Sequence, residues 1–362
     1  MPKPTLMQFV LLELALAAVV GGLAEKRAWP AVGAGVAAVL AVLAVVPLRR
    51  RWAYQLALSW LAMMRRRQGV RGPGLQTLLG GYQVRTIAPS GHGTQFGVVR
   101  VGSMWTLPLE LDCDGVCNDD APVPVDQLAA LLRVEDVPLA SVRLLTVLAP
   151  ARPAPHAPLG PVAPAPRVAA RYCLLTLDTI AAAEAVAARG GTDAAVQQIL
   201  RRCALRCEQI LAAVGVRVRR LDERAVTALF ASCMGPAAAR PDGSLPATVE
   251  SWRGIRVAGT WSVSFAVAGG GQRTPDALTQ LAAGAMTPVV VTCLVLRRPG
   301  RHEQLQAMLL LRLSGPGAAP DTVALARTAE QAAAAGLVLQ RLDGEHGNLL
   351  RATTPVGMGA AA

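Results

Sequence analysis

The sequence predicts an α/β protein, in which an N-terminal two-helix transmembrane hairpin precedes a cytosolic α/β body of two tandem β-β-α-β…β-α-β repeats. Three observations lead to this prediction. Two apolar runs, residues 6–24 and 29–48, open the chain. Short segments with β-type alternation, separated by segments with helical periodicity, follow them. Several motifs of the first half of the body then recur in the second half.

The hairpin is predicted from the length of the two apolar runs and from the charges that follow them. The runs hold 19 and 20 residues and are separated by only four. At about 1.5 Å per residue, each helix would reach about 30 Å, the hydrocarbon thickness of a bilayer. Arg49, Arg50 and Arg51 follow at once. Positive residues beside spans favour the cytoplasmic side, so both termini and the body are expected in the cytoplasm, with residues 1–48 as a two-span membrane anchor.

Two features of the hairpin leave alternatives open. Gly22-Leu23-Ala24 resembles a small-residue cleavage site, so the first run could be a cleaved signal peptide, although the basic segment before it is thin. Glu13 interrupts the first run. A carboxylate within a span usually faces protein, which predicts a contact with another span or a protonated, paired acid. The alternative is that Glu13 lies near the headgroups.

Residues 49–74 are predicted to form a basic juxtamembrane segment, with a helix over residues 50–68. No acidic residue occurs between Glu25 and Glu110, and residues 49–109 contain nine arginines, so much of the net charge of +12 lies beside the membrane. This placement is explained either by binding to anionic lipid headgroups or by a topology signal alone. It does not fit nucleic acid, because no basic patch with interleaved aromatic residues follows.

The body is divided into a first repeat, residues 75–235, and a second repeat, residues 236–362. In the first repeat, strands are predicted over residues 82–87, 95–101, 104–111, 142–148, 172–177 and 216–221, and helices over 125–132, 179–189, 193–214 and 222–233. A proline-rich linker, residues 150–166, interrupts them. The second repeat is inferred from matched stretches, such as residues 213–222 (AVGVRVRRLD) and 334–343 (AAGLVLQRLD). The two repeats are expected to pack about a pseudo-two-fold axis.

Composition argues against several enzyme classes. Lys3 and Lys26 are the only lysines, so the body lacks the lysine of a P-loop ATPase or a kinase. Seven scattered cysteines in a reducing compartment predict no disulfides, and Cys203 and Cys207 are expected to be core thiols on one helix face. Each of the four isolated histidines is expected on the surface or in a loop.

One motif allows a chemical interpretation. Asp112-Cys113-Asp114 follows a predicted strand, and an Asp-x-Asp at a strand end could hold a divalent metal and a nucleotide-sugar diphosphate, as in glycosyltransferases. The alternative is an acidic, solvated loop. No phosphate-cradling glycine-rich turn precedes the motif, and no hydrolase or zinc motif occurs elsewhere. The sequence therefore predicts no catalytic, cofactor-binding or metal-binding residues, and an enzyme that uses Asp112 and Asp114 remains the alternative.

Several stretches resemble the EccE family, the E components of actinobacterial type VII (ESX) secretion systems. They are GTQFGVVRVGSMWTLPLEL, VPVDQLAALL and DVPLASVRLLT between residues 93 and 150, and RYCLLTLDTIAAAEAVAARGG over residues 171–191. With the two leading apolar runs, the resemblance covers nearly the whole chain. It departs at Asp178-Thr179, where the family often has Asp-Pro, and at Cys173, where a bulkier residue is usual.

The resemblance implies a structural subunit of a plasma-membrane secretion complex, without a cofactor. In that family the E component assembles with B, C and D components, and the C component is the ATPase. Such a partner would account for the missing lysines. The high alanine and arginine content suits a high-GC actinobacterium.

Overall fold

A computed structural model of the chain describes residues 6–24, 29–48, 51–69, 79, 81–87, 95–112, 125–150, 167–234, 248–269, 274–298, 304–317 and 319–356. The chain divides into two compact units, Met1–Gln68 and Gly69–Ala362. The proline-rich segment predicted as a linker lies outside the described residues, apart from its first residue, Pro150.

In its described residues, the first unit contains three helices and two very short strands. These are α1 (Leu6–Ala24), α2 (Trp29–Val45), β1 (Pro47–Leu48), β2 (Arg51–Trp52) and α3 (Ala53–Gly69). The Gln8 side-chain amide near the start of α1 donates to the Ala44 carbonyl at the end of α2 (2.7 Å), so the two helices run antiparallel. Tyr54 packs with Leu11 and Ala44. Within the parts of the chain that the structure describes, no helix combines the length and the apolarity that crossing a membrane requires.

The second unit is built on one sheet of twelve strands in which every pair is antiparallel. Its first half contains β3 (Gln83–Ile87), β4 (Phe96–Val101), β5 (Met104–Asp112), α4 (Val125–Ala130), β6 (Arg133–Val134), β7 (Val137–Pro138), β8 (Ser141–Pro150), β9 (Arg167–Asp178), α5 (Ala183–Ala187), α6 (Asp193–Ala212), β10 (Arg217–Arg220) and α7 (Glu223–Met234). The strands β6 and β7 form a separate hairpin. The mixed α/β class predicted from the sequence is confirmed.

Within the described residues, the second half has the same succession without the β6–β7 hairpin and the short helix α5. It contains β11 (Thr248–Ser251), β12 (Gly254–Val257), β13 (Thr260–Gly269), α8 (Thr274–Gly284), β14 (Val289–Arg297), β15 (Gln306–Pro316), α9 (Thr322–Ala334), β16 (Leu337–Arg341) and α10 (His346–Ala352). Each half begins with three strands, and those of the first half agree with the strands predicted over residues 82–87, 95–101 and 104–111. Two-residue turns at Gly102–Ser103 and Ala258–Gly259 join the second and third strands of each half.

The strand order reads β3-β4-β5-β9-β8 from one end of the sheet and β11-β12-β13-β15-β14 from the other. The halves meet where β8 pairs with β14, and β10 and β16 add to β5 and β13. Alternation along the central strands sends side chains to both faces, and helices cover both. One face carries α4, α6, α8 and α9, and the other carries α7 and α10.

Two predicted helices are shorter in the structure because local hydrogen bonds end them. The helix expected over residues 179–189 is reduced to α5, since the Asp178 carboxylate accepts from the Ile180 amide (3.0 Å) and holds a turn. The helix expected over residues 125–132 ends at Ala130, where the chain enters the β6–β7 hairpin.

Candidate interaction surface and buried centre

The Asp-x-Asp motif lies at the limit of what the structure describes. Asp112 is the last residue of β5, where its backbone pairs with Arg217 of β10. The Asp112 side chain, together with Cys113 and Asp114, lies outside the described residues. Among the residues that are described, no three His, Cys, Asp or Glu side chains converge as they would around a metal ion. The glycosyltransferase hypothesis therefore gains no support here.

His346 is placed differently from the prediction. The sequence suggested a surface or loop histidine, but His346 is fully buried at the start of α10. Its Nδ1 accepts from the Ser264 amide (3.4 Å), and burial lowers its pKa to about 4. The ring is therefore neutral near pH 7, and it belongs to the core. The other three histidines lie outside the described residues.

The cysteines of α6 are core thiols, as predicted. Cys203 and Cys207 are buried against the sheet, and the Cys207 thiol donates to Cys173 Sγ (3.7 Å). That hydrogen bond and burial raise the pKa of Cys207, and burial raises the pKa of Cys203 to about 12. Both thiols are therefore protonated and unreactive at neutral pH.

The outer face of α6 forms one wall of an open groove of about 690 Å³. The β6–β7 hairpin and the end of α4 form the other wall. The groove combines cationic and apolar side chains: Ala130, Leu131, Arg133, Val134, Glu135, Arg202, Leu205, Arg206, Gln209 and Ile210. Three of these residues are arginines and one is an acid, so the lining carries an excess of two positive charges. Leu205 is 50% exposed, which is unusual for a leucine on a helix that also packs on a sheet.

Two ion pairs hold the hairpin against the helices. Arg189 donates to both Asp136 carboxylate oxygens (2.9 and 2.8 Å), and this hydrogen-bonded pairing lowers the pKa of Asp136 to about 2. Arg202 on α6 lies 3.1 Å from the Glu135 carboxylate. Glu135 has a φ of 56°, because a two-residue turn between such short strands requires left-handed backbone. Both residues of the hairpin turn, Glu135 and Asp136, therefore form an ion pair with an arginine at or beside α6.

A second unusual feature lies in the core, where two arginines are fully buried. Arg143 of β8 donates from Nη1 to the carbonyls of Ala352 and Thr354, both at 2.9 Å. Arg312 of β15 donates from Nη2 to the Cys233 carbonyl at 2.6 Å. Burial lowers the pKa of both guanidinium groups, that of Arg312 to about 10. Both are charged at neutral pH, because the guanidinium group of arginine keeps its proton in proteins.

These hydrogen bonds cross between the halves of the sheet. Arg143, in the first half, binds carbonyls at the end of α10 in the second half. Arg312, in the second half, binds a carbonyl at the end of α7 in the first half. The last carbonyls of a helix lack intrahelical donors and carry partial negative charge, so a cation is favoured there. Each half therefore supplies the C-terminal cap of a helix in the other.

Residues 165–267 match the family model described as "Putative type VII ESX secretion system translocon, EccE". Over this segment the chain is similar to the EccE family. The match confirms the resemblance seen in the sequence and indicates a subunit of a type VII secretion system. A comparison with curated proteins gave no significant match.

The EccE match runs from the start of β9 to near the end of β13, and therefore contains α6 with its groove. The sequence analysis did not identify the groove or the buried arginines. The buried arginines could have been found from the sequence, because Arg143 and Arg312 are single charges within the apolar runs VRLLTVL and AMLLLRL. The groove had no comparable signal, since the β6–β7 hairpin is only six residues long.

Proposed function

We propose that this chain is a non-catalytic structural subunit of an inner-membrane type VII secretion complex, which anchors and stabilises assembly with an ATPase subunit and other membrane subunits for protein export. The observation that carries this proposal is the EccE match over residues 165–267. The partners implied are the B-, C- and D-like subunits, the C-like one being the ATPase. The lack of any lysine after Lys26 supports a separate ATPase, since phosphate-binding loops depend on lysine.

Residues 1–48 would anchor the chain as a two-span hairpin, with both termini and the body in the cytoplasm. Support comes from the surface of α1 and α2, which is apolar even where the helices do not touch each other. The large exposed apolar side chains are Met7, Phe9, Val10, Leu12, Leu14, Leu16, Val19, Val20, Val32, Val36, Val39, Val42 and Val45. Water is a poor solvent for such a surface, whereas lipid or another span covers it at no cost. The arginines from Arg49 onwards would then lie beside anionic headgroups.

Glu13 and Gln8 would play different parts in this anchor. Gln8 is buried and contacts the main chain of α2, whereas Glu13 is exposed on α1. In a bilayer, an exposed carboxylate on a helix is stabilised by a polar partner from another chain. We therefore assign Glu13 to a contact with a second membrane subunit.

The body, residues 75–235 and 236–362, would be an internal duplication that follows the juxtamembrane segment 49–74. The corresponding strand orders on either side of the β8–β14 junction support this proposal. So do the matched positions of β10–α7 and β16–α10, each of which adds a strand and then a helix on the same face.

The groove beside α6 is the surface that we assign to a cytosolic partner. Its positive excess and its exposed leucine would suit an acidic segment that carries a bulky apolar side chain. Leu205 would supply the apolar contact, while Arg133 and Arg206 would supply charge.

The test is co-purification of the tagged full-length chain, in mild detergent, from cells that express the neighbouring secretion genes. We expect a high-mass complex that contains a separate ATPase. Leu205→Asp should weaken ATPase recovery at least tenfold, because it places a negative charge in the contact. Val323→Asp is the matched control, since Val323 is 59% exposed on α9, outside the groove.

Two outcomes would contradict the proposal. If the wild-type chain runs alone at monomer mass, it is not a stable subunit of the complex. If Leu205→Asp and Val323→Asp retain the ATPase equally, the groove is not the contact surface, although the assembly itself would stand. The topology is tested separately, by labelling single cysteines introduced at Ala28 and Ala361. A membrane-impermeant maleimide should reach only the first from outside the cell.

A further inference from the structure

The two buried arginines converge on one short turn at the centre of the second unit. Arg143 donates to the carbonyls of Ala352 and Thr354, and Arg312 donates to the Thr353 carbonyl between them (3.3 Å). Two like charges therefore approach the same three residues, without any exposure to solvent. Such an arrangement is unfavourable unless negative charge is close, because burial removes the hydration of each ion.

The described part of the chain does not supply enough negative charge. Within it, neither arginine pairs with a carboxylate, and Nε and Nη2 of Arg143 and Nε and Nη1 of Arg312 have no hydrogen-bond partner. The neighbouring thiols of Cys233 and Cys293 are neutral, because burial raises their pKa values to about 12 and about 11. The ends of α7 and α10 each contribute at most about half a negative charge. Against two guanidinium charges, this leaves an excess of about one positive charge.

We propose that a small monovalent anion, of the size and charge of chloride, is bound beside Arg143 as the missing counter-charge. Nε and Nη2 lie on the same edge of a guanidinium, so they present two roughly parallel N–H groups to one acceptor. A water molecule would satisfy these donors but would leave the excess charge in place. The carbonyl contacts occupy Nη1, on another edge, so the anion and the helix cap do not compete. This inference is independent of the proposed function.

The experiment follows chloride with the full-length chain in mild detergent. Thermal unfolding, monitored by tryptophan fluorescence, is compared in sodium chloride and in sodium gluconate at equal ionic strength, since gluconate is too large for a buried site. We expect the unfolding equilibrium constant to fall about tenfold for each tenfold rise in chloride above its Kd. The ³⁵Cl NMR line should broaden with protein and sharpen when bromide displaces chloride.

Two variants make the test specific. Arg143→Lys keeps a positive charge but lacks the paired N–H edge, so it should fold and lose both the chloride-dependent stability and the line broadening. Arg256→Lys is the control, because Arg256 is exposed on β12, and it should retain both effects. Equal stability in chloride and gluconate, with no broadening, would overturn the proposal. So would a chloride response in Arg143→Lys equal to that of the wild type, which would place chloride elsewhere.

Discussion

The capping role of Arg143 predicts the effect of replacing it with methionine. Methionine keeps an unbranched apolar stem but removes the guanidinium, which donates to Ala352 and Thr354 at 2.9 Å. Arg143 Nη1 also donates to the Arg351 carbonyl (3.3 Å), but this carbonyl still accepts from the Thr354 amide and hydroxyl, so it loses little. Two buried carbonyls therefore lose their main donor, although the Ala352 carbonyl still accepts from the Cys293 thiol (3.4 Å).

The magnitude follows from two opposed effects. A buried carbonyl without its donor costs about 1–3 kcal/mol, so two cost about 2–6 kcal/mol. Removing a buried charge returns part of this, because the pKa of Arg143 is lowered by burial and the charged form is therefore destabilised. Removal of the buried charge is expected to regain about 1–3 kcal/mol. The net loss in the free energy of unfolding is then about 2 kcal/mol. The loss should concentrate at the end of α10.

The assay is urea unfolding of the full-length chain in detergent, with gluconate as the only anion so that halide binding does not contribute. We expect Arg143→Met to lower the midpoint without changing the slope, and hydrogen exchange to rise at residues 349–354. Arg256→Met should change the free energy by less than about 0.5 kcal/mol, as exposed substitutions usually do. An unchanged or higher midpoint for Arg143→Met would refute the reasoning, because burial of the charge would then outweigh the cap.

Three further predictions concern the second half. The pKa of His346 is about 4 in the folded chain and about 6.5 when unfolded, so the unfolded chain binds more protons between these values. Stability should therefore fall by about 3 kcal/mol as the pH drops from 7 to 4, and His346→Gln should flatten this slope in urea titrations at each pH. Gly344→Ala should reduce the free energy of unfolding by about 2 kcal/mol, since φ is 77° and a Cβ would lie 2.4 Å from the Trp252 ring. This loss should appear as a lower melting temperature. Ala258→Gly should raise the free energy of unfolding by about 0.5 kcal/mol, and so raise the melting temperature, because φ is 50° at this residue. A lower melting temperature would contradict the strain argument.

The sequence located the central strands well because their signal is local. Residues 104–111, 142–148 and 172–177 were predicted as strands, and β5, β8 and β9 extend these segments by one residue or more at their ends. Apolar residues on both faces gave this signal, and both faces are covered by helices. The pairing of β8 with β14 could not be predicted, since it joins residues about 150 positions apart. Nothing in either strand alone specifies its neighbour.

The candidate sites show the same limit. The apolar runs that contain Arg143 and Arg312 could be recognised, but the acceptors of both arginines lie on helices that end far away in sequence. The motif that attracted a chemical interpretation, Asp112-Cys113-Asp114, is a local pattern, and local patterns are what sequence reasoning finds most readily. The groove depends on Glu135 adopting left-handed backbone in a two-residue turn, which its side chain does not favour.

Each half of the sheet supplies an arginine that caps a helix of the other half, and this exchange favours folding of the two halves together. The end of α7 depends on an arginine from β15, and the end of α10 depends on an arginine from β8. A half on its own would leave the end of a helix without the donor that the other half supplies. Joined, the halves satisfy both helix ends, and a single buried anion would neutralise the charge that remains. The groove beside α6 lies on the opposite face of this sheet from the crossed caps, so a partner could bind there without disturbing the junction.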